Sequence, residues 1–66
     1  MAVLKVIEVL SNSKISWEDA TKNAVAEASK SLKNIRSAYV KEFSTAVENG
    51  AVTEYRVNVK ITFEIE

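Results

Sequence analysis

The last fifteen residues of the chain, 52–66, alternate strictly between apolar and polar side chains. The odd positions are the apolar ones: Tyr55, Val57, Val59, Ile61, Phe63 and Ile65. An alternation of period two is typical of a β-strand that buries one face and exposes the other. Asn49-Gly50, just before this stretch, tolerates the positive φ angles of a tight hairpin turn. The sequence therefore predicts a long strand that folds back on the residues preceding the turn.

Residues 35–47 are predicted to form the partner strand of that hairpin. Counting outward from a two-residue turn places Val40 opposite Val59 on a face that a helix can cover. The same count gives these pairs on the other face: Tyr39 with Lys60, Lys41 with Asn58, and Phe43 with Arg56. A three-residue turn with a bulge would shift this register.

The first half of the chain is predicted to form a strand and then a helix. Residues 2–10 are rich in branched apolar residues, and both faces of this strand are apolar, which indicates a strand covered on both sides or paired centrally. Ser16 is a candidate helix N-cap, and Asp19, three residues later, resembles the second half of a capping box. Alanines then recur at spacings of three and four, which predicts a helix from Trp17 to Asn34. Lys30 and Lys33 would lie in its last turn.

The predicted fold is α+β, with the order β-α-β-β and one helix on a three-stranded antiparallel sheet, in a single domain spanning residues 1–66. A core of this size is marginal without cysteines or a metal, so oligomerisation is the expected source of further burial. Residues 52–66 would extend about 45–50 Å as a strand, whereas the predicted helix covers only about 27 Å. The side chains of Val47, Val52 and Tyr55, near the turn, would be exposed to solvent unless another subunit covered them.

Composition excludes several classes of function. Nine basic and nine acidic residues give no net charge, so the basic excess of a nucleic-acid-binding protein is missing. The chain has no histidine or cysteine and one glycine, which leaves most catalytic templates without their residues, so we expect no enzyme. The apolar N-terminal stretch is too short to span a membrane and has no cleavage motif, which predicts a cytoplasmic protein with no membrane partner.

Several side chains have two readings. Trp17 could pack over the helix start together with Ile15, or stack on a planar ligand. Tyr39 and Phe43, both expected on the helix-free face, could be buried by a neighbouring subunit or serve as such platforms. Arg56 could stack on Phe43, or donate to a bound carbonyl or phosphate. Four glutamates could gather a hard cation or form a solvated acidic face: Glu42, Glu54, Glu64 and Glu66.

A family resemblance is carried by several short motifs in a fixed order. They are the stretch from Ser11 to Ala20 with its Ser-Trp-Glu-Asp-Ala end, Asn23-Ala-Val-Ala26, Leu32-Lys-Asn-Ile35, Glu48-Asn-Gly50 and the strand from Tyr55 to Phe63. In order, spacing and length the chain resembles the dodecins over essentially its whole length.

The resemblance implies a non-enzymatic, hollow homododecameric shell that binds flavin (FMN, riboflavin or FAD) between subunits, for storage or sequestration. In flavin-binding dodecins a tryptophan that stacks on the ring stands at the position of Ser37, and a glutamine that contacts the ring edge stands at the position of Arg56. Loss of one stacking partner removes roughly 1–3 kcal/mol of binding free energy on the scale of base–aromatic stacking. In both respects the sequence is more similar to the branch called calcium dodecin.

Two hypotheses therefore stand after the sequence. The first is a shell whose inter-subunit pockets bind a small ligand, flavin or a substitute, at Ser37 and Arg56. The second is a calcium-binding or purely structural cage without an organic ligand, for which no ligating residue is named. Ser37 and Arg56 are expected on the same face but about 20 Å apart along a strand, so one small ligand could touch both only across two subunits.

Overall fold

The computed structural model describes residues 2–65, which form three strands and one helix: β1 (Val3–Ser13), α1 (Trp17–Ala28), β2 (Ile35–Glu48) and β3 (Ala51–Ile65). The strands form one antiparallel sheet in the order β1-β3-β2, and α1 packs on one of its faces. The predicted β-α-β-β fold is confirmed. Glu66, the last residue of the predicted strand, lies outside the described residues.

The core lies between α1 and the central strand, β3. Val57, Val59 and Ile61 of β3 are buried beneath Ala20 and Ala24 of α1, because alanine lets the helix approach the sheet closely. Full burial of each branched side chain contributes about 1.5–3 kcal/mol to the free energy of unfolding. The central strand is thus the one with strict alternation. The expectation that the first strand is paired centrally is wrong, since β1 is an edge strand. The alternative, that it is covered on both sides, stays a prediction.

The helix begins as predicted and ends six residues early. The Ser16 side chain accepts a hydrogen bond from the Asp19 amide at 2.9 Å, which confirms the N-cap. The helix ends at Ala28, not Asn34, so the prediction that Lys30 and Lys33 lie in its last turn is wrong. After Ala28 the backbone continues in tighter turns, in which the Lys30 amide donates to the Glu27 carbonyl at 3.2 Å and the Ser31 amide donates to the Ala28 carbonyl at 3.1 Å. Asn34 adopts a left-handed conformation (φ 60°), but just before β2.

Asp19 does not complete a capping box. Its carboxylate accepts a hydrogen bond from the hydroxyl of the buried Ser13 at 2.6 Å, and the Ser13 oxygen accepts from the Ile15 amide at 2.9 Å. Ser13 therefore ties the end of β1 to the first turn of α1. It also pairs with Tyr55 of β3, so β1 ends three residues later than predicted.

The hairpin contains three irregularities. One lies at the start of β2, between Ile35 and Ser37, and the other two shift the predicted register in the middle of the hairpin. Near the turn an extra residue lies on β3, and further along an extra residue lies on β2, between Val40 and Glu42. The pairing of Val40 with Val59 is confirmed, as is that of Tyr39 with Lys60. Between these two irregularities the predicted pairs are wrong: Glu42 lies opposite Asn58, and Ser44 lies opposite Arg56. Phe43 pairs with Val57 and so lies on the helix side, contrary to expectation.

The hairpin overhangs its helix by more than predicted. The chain is 51 Å long, whereas the twelve residues of α1 span only about 18 Å. Val47 and Val52, near the turn, are at least half exposed, as expected. Tyr55 is not left wet, because its ring packs edge-on against Trp17 with 5.1 Å between ring centroids. Ile15 is 75% exposed and does not join Trp17 in a staple.

Candidate binding site on the helix-free face

The face of the sheet opposite α1, called here the helix-free face, carries every second residue of each strand. Residues opposite each other in a ladder share a face, so the even-numbered positions of β3 and their partners lie on it. Four of these residues are apolar or aromatic and more than half exposed: Leu4, Val6, Leu10 and Tyr39. An apolar patch of this kind usually marks an interface.

A polar network crosses all three strands in the middle of this face. The Asn58 amide nitrogen donates to Glu8 at 2.9 Å and to Glu42 at 3.5 Å. The Lys41 ammonium lies 3.5 Å from the Glu8 carboxylate. The Asn58 hydrogen bond, followed by the charge of Lys41, lowers the pKa of Glu8 below its usual value. The Asn58 side-chain oxygen is buried and accepts no hydrogen bond within residues 2–65. The acceptors that this network leaves accessible on the face are the carboxylate oxygens of Glu8 and Glu42, which are exposed.

A groove of about 590 Å³ lies beside this network, towards the hairpin turn. Arg56 lies in it, flanked by Asn12 of β1 and Ser44 of β2, the residues directly opposite on each side. The Asn12 amide donates to the Glu54 carboxylate at 2.9 Å. Arg56 is exposed and makes no ion pair or hydrogen bond with any described residue. The volume of the groove is in the range of small-molecule sites.

The other predicted site residue, Ser37, lies at the far end of the same face. Ser37 pairs with Thr62, six residues along β3 from Arg56, which corresponds to about 20 Å. Beside it, the Arg36 guanidinium donates through Nε and Nη2 to one Glu64 oxygen at 3.1 and 2.9 Å. Within one chain the structure does not bring Ser37 and Arg56 together.

Trp17 lies on the helix side and is part of the packing there. Its ring meets Phe43 and Tyr55 edge-on, with centroids 5.8 and 5.1 Å away. Its indole nitrogen donates to the Ser44 carbonyl at 3.0 Å. These contacts favour the packing interpretation of Trp17 over the stacking platform. The indole hydrogen bond also holds the backbone of β2 at Ser44, whose side chain lies on the other face, beside the groove.

The glutamates considered as cation ligands are dispersed. Glu42, Glu54 and Glu64 each have a different partner, namely Asn58, Asn12 and Arg36. Among residues 2–65, no three acidic side chains are placed to hold a metal ion together. Glu66, the fourth predicted candidate, lies outside that range. No helix in the described part of the chain is long and apolar enough to cross a membrane.

Sequence reasoning missed the role of Glu8 and Asn58. A signal existed, since Glu8 is the one acidic residue in a first strand that is rich in apolar residues. Its partner could be found only from the register, because the two residues are fifty positions apart in the chain.

The profile of the Dodecin family matches residues 3–66 of this chain. The chain belongs to the dodecin family. Calcium dodecin of Mycobacterium tuberculosis is 37% identical over 65 residues, which cover 98% of this chain and 92% of that protein.

Solved dodecin structures share the fold. A dodecin variant from Thermus thermophilus superposes with a TM-score of 0.94 at 30% identity, covering 100% of this chain and 98% of the other. The crystal structure of the Mycobacterium tuberculosis calcium dodecin, described as having a novel calcium-binding site, gives a TM-score of 0.84 at 37% identity, covering 97% of this chain and 91% of that one. The predicted family and fold are thereby confirmed.

Proposed function

We propose that this dodecin is a non-enzymatic binding shell, in which twelve copies form a hollow particle and hold a small ligand in pockets between copies. The observation that carries this proposal is the apolar patch on the helix-free face. This 66-residue chain leaves four apolar or aromatic side chains more than half exposed on one side: Leu4, Val6, Leu10 and Tyr39. Covering them with further copies would bury apolar surface, which is favourable.

Light scattering tests the assembly. Twelve chains of 7.3 kDa give a particle of about 88 kDa. A mass of that size, independent of dilution into the micromolar range, is the expected result. A stably folded single chain would contradict the shell and every pocket between copies.

The ligand class that the family implies is a flavin, bound between copies with Ser37 and Arg56 contributed by different chains. The separation of these residues within one chain supports a site shared between chains. Because Ser37 offers no ring, we expect affinity weaker by about 1–3 kcal/mol than a site with a stacking tryptophan would give. Titration with riboflavin and FMN, followed by flavin fluorescence, measures this. An absence of quenching at saturating protein would remove flavin as the ligand.

Calcium is the second candidate, favoured by the 37% identity to calcium dodecin. The chain offers hard oxygen acceptors that suit this ion, namely the exposed carboxylates of Glu8 and Glu42, which both contact the Asn58 amide nitrogen. Two carboxylates fall short of the six to eight oxygens that calcium takes, so a second copy or water would complete the set. A melting temperature that rises with calcium and falls with chelator is expected, since a ligand that binds the folded state stabilises it. Indifference to both would exclude this candidate.

A further inference from the structure

We propose that the groove at Arg56 is an oxyanion site, in which the Arg56 guanidinium and the Ser44 hydroxyl bind a phosphate or carboxylate group of a small molecule. This inference deepens the proposed function, because it assigns a chemical class to the ligand of the same pocket. It is tested with inorganic phosphate, so it does not depend on flavin binding.

The two arginines of the chain differ in a way that sets Arg56 apart. The Arg36 guanidinium is ion-paired with Glu64, to which it donates two hydrogen bonds at one carboxylate oxygen. Arg56 is exposed in a groove, and its guanidinium meets no carboxylate within residues 2–65. A guanidinium presents five donors in a planar fork that matches the geometry of phosphate and carboxylate. The Arg56 guanidinium, whose donors have no partner among the described residues, is therefore the group in the groove that would bind an oxyanion.

The neighbouring acids form no ion pair with Arg56. Glu54, two residues away on the same face, accepts from Asn12, and Glu42 accepts from Asn58. These hydrogen bonds leave both carboxylates charged, but they hold them on partners other than the guanidinium. No carboxylate within residues 2–65 therefore occupies the donors of Arg56.

Ser44 supplies a second donor in a fixed position. It lies directly opposite Arg56, and side chains in such pairs have Cβ atoms about 4.5–5.5 Å apart. Its hydroxyl has no partner among the described residues, while its carbonyl is held from the other side of the sheet by the Trp17 indole. A tetrahedral phosphate can bridge a guanidinium and a hydroxyl at that spacing.

Trp17 also provides the measurement, since it is the only tryptophan in the chain and contacts the backbone of Ser44. The experiment titrates the full-length protein with inorganic phosphate at constant ionic strength, following Trp17 fluorescence and heat of binding. Saturable binding is expected. The variant Arg56→Gln should bind phosphate about tenfold more weakly, since one charge-assisted contact is worth about that factor. Ser44→Ala should lose a few-fold.

Lys60→Gln is the matched control. Lys60 lies on the same strand and the same face, so the variant removes the same charge at four residues' distance. Phosphate affinity should be unchanged in it. Equal losses in Arg56→Gln and Lys60→Gln would reduce the effect to general charge, and an absence of saturable binding in the wild type would also overturn the proposal.

FMN and riboflavin separate free phosphate from a phosphate-bearing ligand. If the pocket takes a flavin, FMN should bind more tightly than riboflavin, and the difference should vanish in Arg56→Gln. Phosphate binding without flavin binding would keep the oxyanion site and remove flavin. Equal flavin affinities in wild type and Arg56→Gln, with no phosphate effect, would remove the oxyanion site and keep flavin.

Discussion

The two faces of β3, formed by alternate residues of one strand, differ in whether the chain itself covers them. On the helix side, Val57, Val59 and Ile61 are almost fully buried by α1 within a single chain. On the helix-free face, Arg56, Asn58 and Lys60 lie between the neighbouring strands with no layer above them. The comparison teaches that the single chain completes only one of its two faces. The second face is the one on which we propose that other copies and a ligand bind.

The largest expected effect is on the helix side. Ile61 is fully buried against the helix, so Ile61→Ala should lower the free energy of unfolding by about 2–5 kcal/mol through lost burial and a cavity. Urea denaturation at fixed protein concentration measures it. Thr62→Ala, the next residue on the other face, is the control and should cost well under half as much. Similar losses for both would erase the distinction between the faces.

The second prediction concerns assembly through the helix-free face. Leu10 is 82% exposed there, and Leu10→Asp should break the particle into smaller species because it places a charge in an apolar interface. Ile15→Asp is the matched control, since Ile15 is 75% exposed but lies outside the sheet. Analytical ultracentrifugation reads both masses, with circular dichroism to confirm folding. An intact particle in the Leu10 variant would show that this face is not an interface.

The third prediction weakens the cover of the helix side without touching the other. Ser16→Ala removes the hydrogen bond to the Asp19 amide and should destabilise the chain by about 1 kcal/mol. Thermal unfolding measures the loss, and the particle mass should not change. Ser29→Ala, at the other end of the helix, removes only a hydroxyl bonded to a carbonyl and should be nearly neutral. A change of mass in Ser16→Ala would mean that helix docking and assembly are coupled.

The smallest effect is a pH dependence from the helix-free face. Since Asn58 and Lys41 lower the pKa of Glu8 in the folded chain, the ionised form is favoured by folding. This contribution is present above the unfolded pKa, for which 4.5 is the reference, and is lost as the pH falls through the lower folded pKa. The difference between the urea midpoints at neutral and acidic pH should therefore be smaller in Glu8→Gln than in the wild type. Identical pH profiles would show that the network adds no stability.

Most of the fold could be predicted because the signals were local. The alternation of β3 required a strand with one buried face, and Ser16 required a helix start. The end of α1 could not be predicted, because the apolar spacing of a helix continues to Leu32, beyond the point where the backbone hydrogen bonds change to tighter turns. The edge position of β1 could not be predicted either, because apolar residues on both faces are typical of a central strand. In the single chain the second apolar face of β1 is exposed.

The candidate site could be predicted only in part. Arg56 was singled out, and its face was correct because β3 alternates regularly. Its neighbours were wrong, since the two irregularities in the middle of the hairpin put Ser44 rather than Phe43 opposite it. Neither irregularity is marked by a glycine or proline, so the sequence shows no break there. The roles of Ser37 and Arg56 in ligand binding stay a prediction.

These paired irregularities act on both faces of the sheet. A one-residue insertion in a strand normally turns every later side chain to the wrong side. Here the extra residue on β2 and the extra residue on β3 offset each other, so residues 42–46 are reoriented while Val40 stays opposite Val59. The reoriented segment places Ser44 opposite Arg56 and turns Phe43 towards Trp17, so one local change of register shapes both the groove and the packing on the helix side.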